Sequence, residues 1–124
     1  MRFLSYIESD PNMPFGPPPP QLFDEIRKFG DEMVKAGVVV DQGGLAPIKA
    51  SPHIRVAGGK LTVTDGPFAE AKEVIGGYAM YDVRSVEEAT EYSRRFMQIH
   101  LDTWPDFEGT SVTRQVFGPD DFEA

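Results

Sequence analysis

Two amphipathic helical patterns, each lying between two strand patterns, divide the chain into two β-α-β units. The first helix is predicted over residues 20–36, where apolar side chains recur at spacings of four, three and four (Leu22, Ile26, Phe29 and Met33). The second is predicted to begin at a capping box formed by Ser85 and Glu88 and to run to about residue 100. Because crossover connections are right-handed, we expect both helices on one face of a single sheet.

Apolar runs around these helices predict the strands. We expect the main sheet to contain four strands, over residues 2–8, 38–40, 77–83 and 111–117. Between the two units, residues 53–56 and 60–64 form a predicted hairpin, because two glycines separate two alternating runs. Residues 1–124 are therefore expected to form one α+β domain, a ferredoxin-like β-α-β-β-α-β two-layer sandwich with an inserted hairpin.

Residues 11–20 hold six of the chain's 11 prolines. Proline fixes φ and donates no backbone hydrogen bond, so this segment is predicted to be neither helix nor central strand. It is interpreted either as a stiff surface loop or as a lid whose Met13 and Phe15 cover a pocket or a partner chain.

The predicted strands carry large apolar side chains on both faces. In the first strand, Phe3 and Ile7 point to one side, whereas Leu4 and Tyr6 point to the other. Helices would cover only one face, and a sheet that is apolar on both faces needs a second cover. We expect a homodimer in which a second copy supplies it through a two-fold axis, leaving a cavity where the sheets meet. The alternative is a monomer covered by its proline segment and its C-terminal tail.

The charge balance limits the partners. With 12 Lys and Arg against 20 Asp and Glu, the formal net charge is −8. Nucleic acid and anionic membrane surfaces both favour a basic protein, so neither is an expected partner. No apolar run approaches the ~20 residues that a membrane span needs. We expect a cytoplasmic protein.

The composition also limits the chemistry. The absence of cysteine excludes thiolate metal sites, and two histidines are too few for a three-histidine zinc site within one chain. Neither a P-loop nor a dinucleotide-binding glycine motif occurs in the sequence. No metal and no cofactor are therefore expected.

Asp65 is the first candidate for chemistry, because it directly follows a predicted strand in the turn-forming sequence Asp65-Gly66-Pro67-Phe68. Its carboxylate either accepts hydrogen bonds from its own loop amides or points into a cleft. The sequence alone leaves both interpretations open.

His100 is the second candidate, on the apolar stripe of the second helix, four residues after Phe96. Such a histidine can face the sheet and accept a proton, and a nearby carboxylate would orient it and raise its pKa. Trp104 could then form an aromatic wall for a planar ligand. Alternatively, His100 caps the helix and Trp104 is a core anchor.

The stretch from Thr64 through Asp65-Gly66-Pro67-Phe68 to Glu73, followed by Gly76-Gly77-Tyr78, strongly resembles the DGPF-domain proteins of the YCII-related family. Gly43-Gly44-Leu45 matches the glycine pair that precedes the hairpin in that family. The segment from His100 through Trp104-Pro105 to Gly109 resembles one of its branches. The likeness covers nearly the whole chain.

This resemblance implies a dimeric α+β barrel built on the ferredoxin-like fold. Related barrels include cofactor-free enzymes that act on small aromatic or polyketide-like molecules. DGPF proteins also resemble products encoded near extracytoplasmic-function sigma factors, which leaves a signalling role open. The better-known YCII branch is thought to use a His–Asp pair with an early histidine, whereas the first histidine here is His53.

The leading hypothesis is a cofactor-free enzyme that uses acid–base chemistry on a small planar or aromatic substrate. Asp65 would be the acid/base or orienting carboxylate and His100 the proton shuttle. The substrate-binding walls would be Tyr6, Phe68, Tyr78 and Trp104. The competing hypothesis is a non-catalytic sensor or regulatory module, in which Asp65 and the motif glycines only shape a turn.

Overall fold

A computed structural model describes residues 1–9, 18–46, 51–65 and 74–122. Most of the predicted lid, with Met13 and Phe15, lies outside these residues, as do Gly66, Pro67 and Phe68 of the turn motif. Within the described residues, six strands and two α-helices follow one another along the chain: β1 (Arg2–Ser9), α1 (Pro20–Lys35), β2 (Val39–Gly44), β3 (Pro52–Ala57), β4 (Lys60–Asp65), β5 (Val74–Asp82), α2 (Val86–Thr103) and β6 (Thr110–Val116). A short 3-10 helix follows at Pro119–Phe122.

Four of the strands form an antiparallel sheet in the order β2-β5-β1-β6. The two strands that follow a helix, β2 and β6, lie at the edges, and β1 and β5 form the centre. This is the strand order of a ferredoxin-like sandwich with a hairpin inserted after β2. The predicted fold class is confirmed.

Both helices begin where the local sequence predicts; α1 ends at Lys35, next to its predicted end, and α2 continues to Thr103, beyond the predicted end at about residue 100. Pro20 occupies the first turn of α1, and Gly37, with φ of 75°, follows its last turn in the left-handed conformation. At the start of α2, the Ser85 hydroxyl accepts a hydrogen bond from the Glu88 amide at 3.1 Å. The Glu88 carboxylate accepts one from the Arg84 amide at 3.3 Å, so both halves of the capping box satisfy an exposed N–H.

The hydrophobic core lies between the sheet and the two helices. Phe3 of β1 and Tyr81 of β5 are opposite each other and are each only 2% exposed. Side chains of α1 and α2 cover them, and the buried cluster consists of Phe3, Phe29, Met33, Val38, Tyr81, Val83 and Ala89. The face of the sheet that carries Phe3 and Tyr81 is called the inner face below.

The opposite, outer sheet face also carries large apolar side chains, with Arg114 opposite Leu4 and Asp41 opposite Met80. Leu4 pairs with Met80, and Tyr6 lies between Tyr78 and Val112. These side chains and Val116 are half-buried. In the described part of the chain, no helix packs on this face, since the core cluster places both helices on the inner face. The prediction of a sheet that is apolar on both sides is therefore confirmed.

The β3–β4 hairpin forms a separate two-stranded sheet. Its turn residues Gly58 and Gly59 both have positive φ, as a two-residue hairpin turn requires. One face of the hairpin is aliphatic and exposed to between 60% and 74%, with cross-strand pairs formed by Ile54 and Val63 and by Val56 and Leu61. The other face carries polar residues, including Arg55 opposite Thr62.

Candidate functional site

A cavity of about 620 Å³ opens between the inner face of the sheet and the two helices. Residues of β1, β2 and β5 form its floor, α1 forms one wall, and the end of α2 with the turn that follows forms the other. Its large apolar lining residues are Ile7, Ile26, Tyr81, Phe96, Trp104 and Phe107. The volume is within the ~300–1,000 Å³ typical of small-molecule sites.

Aromatic rings form the wall at the end of α2. Trp104 and Phe107 stack with their centroids 5.1 Å apart and their planes 30° apart. Two backbone hydrogen bonds hold them there, from the Trp104 amide to the His100 carbonyl at 2.8 Å and from the Phe107 amide to the Trp104 carbonyl at 3.0 Å. A flat wall fixed by its own backbone suits a planar ligand, because stacking needs no rearrangement of the protein.

A group of hydroxyls lies beneath the cavity, and we call it the hydroxyl cluster: Ser5, Tyr81, Ser93, Ser111 and Thr113. The Ser93 hydroxyl is 3.0 Å from that of Ser5 and 2.9 Å from that of Thr113. Ser5 is also 3.4 Å from Ser111. Ser5 and Tyr81 line the cavity, so the cluster supplies polar groups to a mostly apolar site.

Burial raises the pKa of the Tyr81 phenol, whereas hydrogen bonds with Ser93 and Ser5 act in the opposite direction. Burial is the larger cause, because the free-energy cost of removing the phenolate from water exceeds the stabilisation that the two hydroxyl donors give it. Tyr81 therefore remains protonated at neutral pH and can donate a hydrogen bond.

The charged residues of the cavity lie at its mouth. Arg27 and Asp31 of α1 line it and are exposed, and Arg27 is 3.7 Å from Asp24. On the outer face, the Tyr78 hydroxyl donates to the Asp41 carboxylate at 3.2 Å. The charge of Asp41, together with that hydrogen bond, raises the pKa of Tyr78. The mouth thus carries both signs of charge in contact with water.

His100 is 6% exposed and lies behind the aromatic wall. Its ring centroid is 4.8 Å from that of Phe96 and 4.8 Å from that of Phe107, both of which line the cavity. Nδ1 is 3.0 Å from the Phe96 carbonyl, which can only accept, so Nδ1 carries the hydrogen. Burial lowers the pKa of His100 and outweighs this hydrogen bond, so the ring is neutral and its Nε2 carries a lone pair.

Tyr6, Tyr78 and Trp104, three of the residues predicted to form walls, all border the cavity. Strand alternation places the rings of Tyr6 and Tyr78 on the outer face, so of the three only Trp104 contributes its ring to the cavity wall. The fourth, Phe68, is outside the described residues, as are Gly66 and Pro67. The backbone of Asp65 ends β4 opposite Pro52. The pairing of Asp65 with His100 stays a prediction.

Sequence reasoning missed the hydroxyl cluster. Its signal was present, because Ser5 lies between Phe3 and Ile7 on one apolar face of β1, and Ser93 lies on the apolar stripe of α2 with Phe96. A hydroxyl on each of two faces that must meet indicates a buried polar contact, since an unpaired hydroxyl there would be costly.

Among the described residues, no group of three or more His, Cys, Asp or Glu side chains is placed to hold a metal ion. In the same part of the chain, neither helix is long and apolar enough to cross a bilayer.

The fold and cavity define an α+β sandwich of the ferredoxin-like class with a ligand-sized cleft between sheet and helices. The model of the YCII-related domain matches residues 1–104. The chain therefore belongs to the YCII-related family. It is also similar to an uncharacterised protein of Rhizobium meliloti, with 38% identity over 61 residues. That match spans 49% of this chain and 49% of the relative, so the chain matches about half the length of that protein.

Proposed function

We propose that this protein binds a small planar or aromatic molecule in the cavity between the sheet and the helices. The observation that carries the proposal is the combination of a 620 Å³ cavity, an aromatic wall and a few convergent hydroxyls. Binding sites for small molecules are mostly apolar and use a few placed polar groups to orient the ligand. Trp104 would contact the ligand, together with Phe68, whereas the rings of Tyr6 and Tyr78 lie on the outer face at the edge of the cavity.

A cavity-filling variant tests this proposal. Gly30 of α1 lines the cavity, and a Cβ added there would meet only the Gln42 side chain, at 3.6 Å or more. Gly30→Ala should therefore keep most of the volume, whereas Gly30→Leu should occupy part of it and narrow the space beside the aromatic wall. We expect 2-naphthol to shift backbone amide resonances around the cavity in the wild type and in Gly30→Ala, and to bind more weakly to Gly30→Leu. Equal binding by all three proteins would place the ligand elsewhere.

A second candidate function is conversion of the bound molecule by general acid–base chemistry, with His100 as the base and Asp65 as the acid or orienting carboxylate. The observation that favours it is the neutral imidazole, whose Nε2 can accept a proton while Nδ1 is held by the Phe96 carbonyl. Such a pair contributes ~10²–10⁴-fold to a proton transfer. Proton abstraction, elimination or isomerisation would fit these groups.

The test is an NMR titration of His100 in the wild type and in Asp65→Asn. If the carboxylate faces the imidazole, its removal should lower the pKa of His100 further, because the protonated ring loses a negative neighbour that stabilises it. An unchanged titration would show that the two do not interact. Ligand binding that persists without the pair would then favour the regulatory module, which senses a molecule without converting it and could serve sigma-factor signalling.

We also propose that a second copy of the chain covers the outer sheet face and completes a dimeric α+β barrel. Its support is the apolar surface formed by Leu4, Met80, Val112 and Val116 around Tyr6 and Tyr78, which the described helices leave uncovered. A two-fold axis through this face would place each apolar side chain against the same surface of the other copy.

A further inference from the structure

We propose that the hydroxyl cluster makes the cavity selective for an uncharged ring that bears an oxygen, such as a phenol or a cyclic ketone, over a carboxylate and over a plain hydrocarbon. This inference rests on the proposed function, since it concerns the ligand class of the same cavity.

The cluster is assembled from four elements, with Tyr81 supplied by β5. Ser5 comes from the middle of β1, Ser93 from the middle of α2, and Ser111 and Thr113 from β6. Ser5 is 7% exposed, Ser93 6% and Tyr81 2%. The side-chain hydrogen bonds of the Ser and Thr members in the described structure are with one another, and the Tyr81 phenol lies beside Ser93 and Ser5.

The hydroxyl cluster is not restricted to donating or to accepting hydrogen bonds. Each hydroxyl can donate one hydrogen bond and accept others, and its hydrogen rotates to suit the neighbour. At the cavity surface, Ser5 and Tyr81 can therefore offer either an O–H or a lone pair, provided that the hydroxyls behind them turn with them. A ligand oxygen that donates, as in a phenol, and one that only accepts, as in a ketone, both find a partner.

A carboxylate would lack suitable charged or hydrogen-bonding partners at this position. A buried anion requires a cation or several fixed donors, and the cluster offers neutral hydroxyls that already share their hydrogens. The cavity's Arg27 lies at the mouth, with its side chain 71% exposed and an aspartate 3.7 Å away. A hydrocarbon meets no such penalty, but it gains no hydrogen bond, which makes the expected preference for the oxygen-bearing ring modest, about tenfold.

The test compares three probes that share one ring system: 2-naphthol, 2-methylnaphthalene and 2-naphthoate. We expect the wild type to bind 2-naphthol about tenfold more tightly than 2-methylnaphthalene and to bind 2-naphthoate most weakly, by NMR titration at pH 7. In Tyr81→Phe and Ser5→Ala, the first two probes should bind about equally. The matched control is Tyr92→Phe. The ring centroid of Tyr92 is 6.1 Å from that of Tyr81, but Tyr92 is not part of the cluster.

The outcomes separate this inference from the proposed function. If none of the probes binds, the cavity is not a site for such molecules and both proposals fall. If the wild type binds 2-naphthol and 2-methylnaphthalene equally, or binds 2-naphthoate best, ligand binding stands and the selectivity is overturned. Because the comparison of probes uses the wild type, it remains decisive even where a variant fails to fold.

Discussion

At His100, two local effects act on the pKa in opposite directions, and burial prevails. The hydrogen bond to the Phe96 carbonyl stabilises a protonated ring, as does the C-terminal end of a helix, where partial negative charge accumulates. Removal of the ring from water disfavours the cation by more, so the pKa falls below its ordinary 6.5. The neutral imidazole then packs like a third aromatic ring between Phe96 and Phe107.

This burial predicts a dependence of stability on pH. The unfolded chain takes up a proton at His100 near pH 6.5, whereas the folded chain takes it up only at lower pH. The stabilisation is therefore complete above pH 6.5 and decreases as the pH falls from 6.5 toward the lowered pKa. We expect the free energy of unfolding in urea to fall more between pH 7.5 and 5 in the wild type than in His100→Gln. An identical decrease in the two proteins would show that His100 does not contribute to the pH dependence of stability.

At the scale of elements, the start of α2 depends on one side chain. The Ser85 backbone is extended, and its hydroxyl satisfies the Glu88 amide, one of the N–H groups that the helix cannot bond internally. By contrast, α1 begins after Pro19 without a side-chain cap and relies on proline in its first turn. The two helices of the same layer therefore begin by different local means.

Removal of the cap should cost measurable stability. We expect Ser85→Ala to lower the free energy of unfolding by about 1 kcal/mol, because an exposed amide loses its acceptor. Ser85→Asp is the matched control, since a carboxylate can accept the same hydrogen bond and should retain most of the stability. Urea denaturation of both variants checks this, and equal losses would contradict a capping role.

At the scale of the whole molecule, the chain has more apolar surface than its described helices cover. The outer sheet face is one such surface, and the aliphatic face of the β3–β4 hairpin is the other. Hairpins of two strands are marginally stable alone, and large exposed apolar patches commonly mark interfaces. Both observations support association of the chain with a second copy.

One charge on the outer face should disrupt that association. We expect the wild type to sediment as a dimer at micromolar concentration and Val112→Glu to sediment as a monomer, because the dimer would bury an unpaired carboxylate. Thr90→Glu, on the exposed side of α2, adds the same charge away from both apolar faces and should remain dimeric. A wild type that sediments as a lone subunit would refute the dimer.

The features that the sequence determined by itself are those that depend on near neighbours in the chain. The stripe through Leu22 and Phe29, the cap at Ser85 and the glycine turn of the hairpin each follow from periodicity or from backbone preferences. From these the strand and helix order followed, and with it the ferredoxin-like fold.

The site was decided by tertiary structure. Ser5 and Ser93 are 88 residues apart, and their hydroxyls meet at 3.0 Å only because β1 lies at the centre of the sheet with α2 across it. Local pattern shows that both side chains point inward, but not that they face each other. That depends on strand order, register and helix placement, which are set by the packing of the whole core.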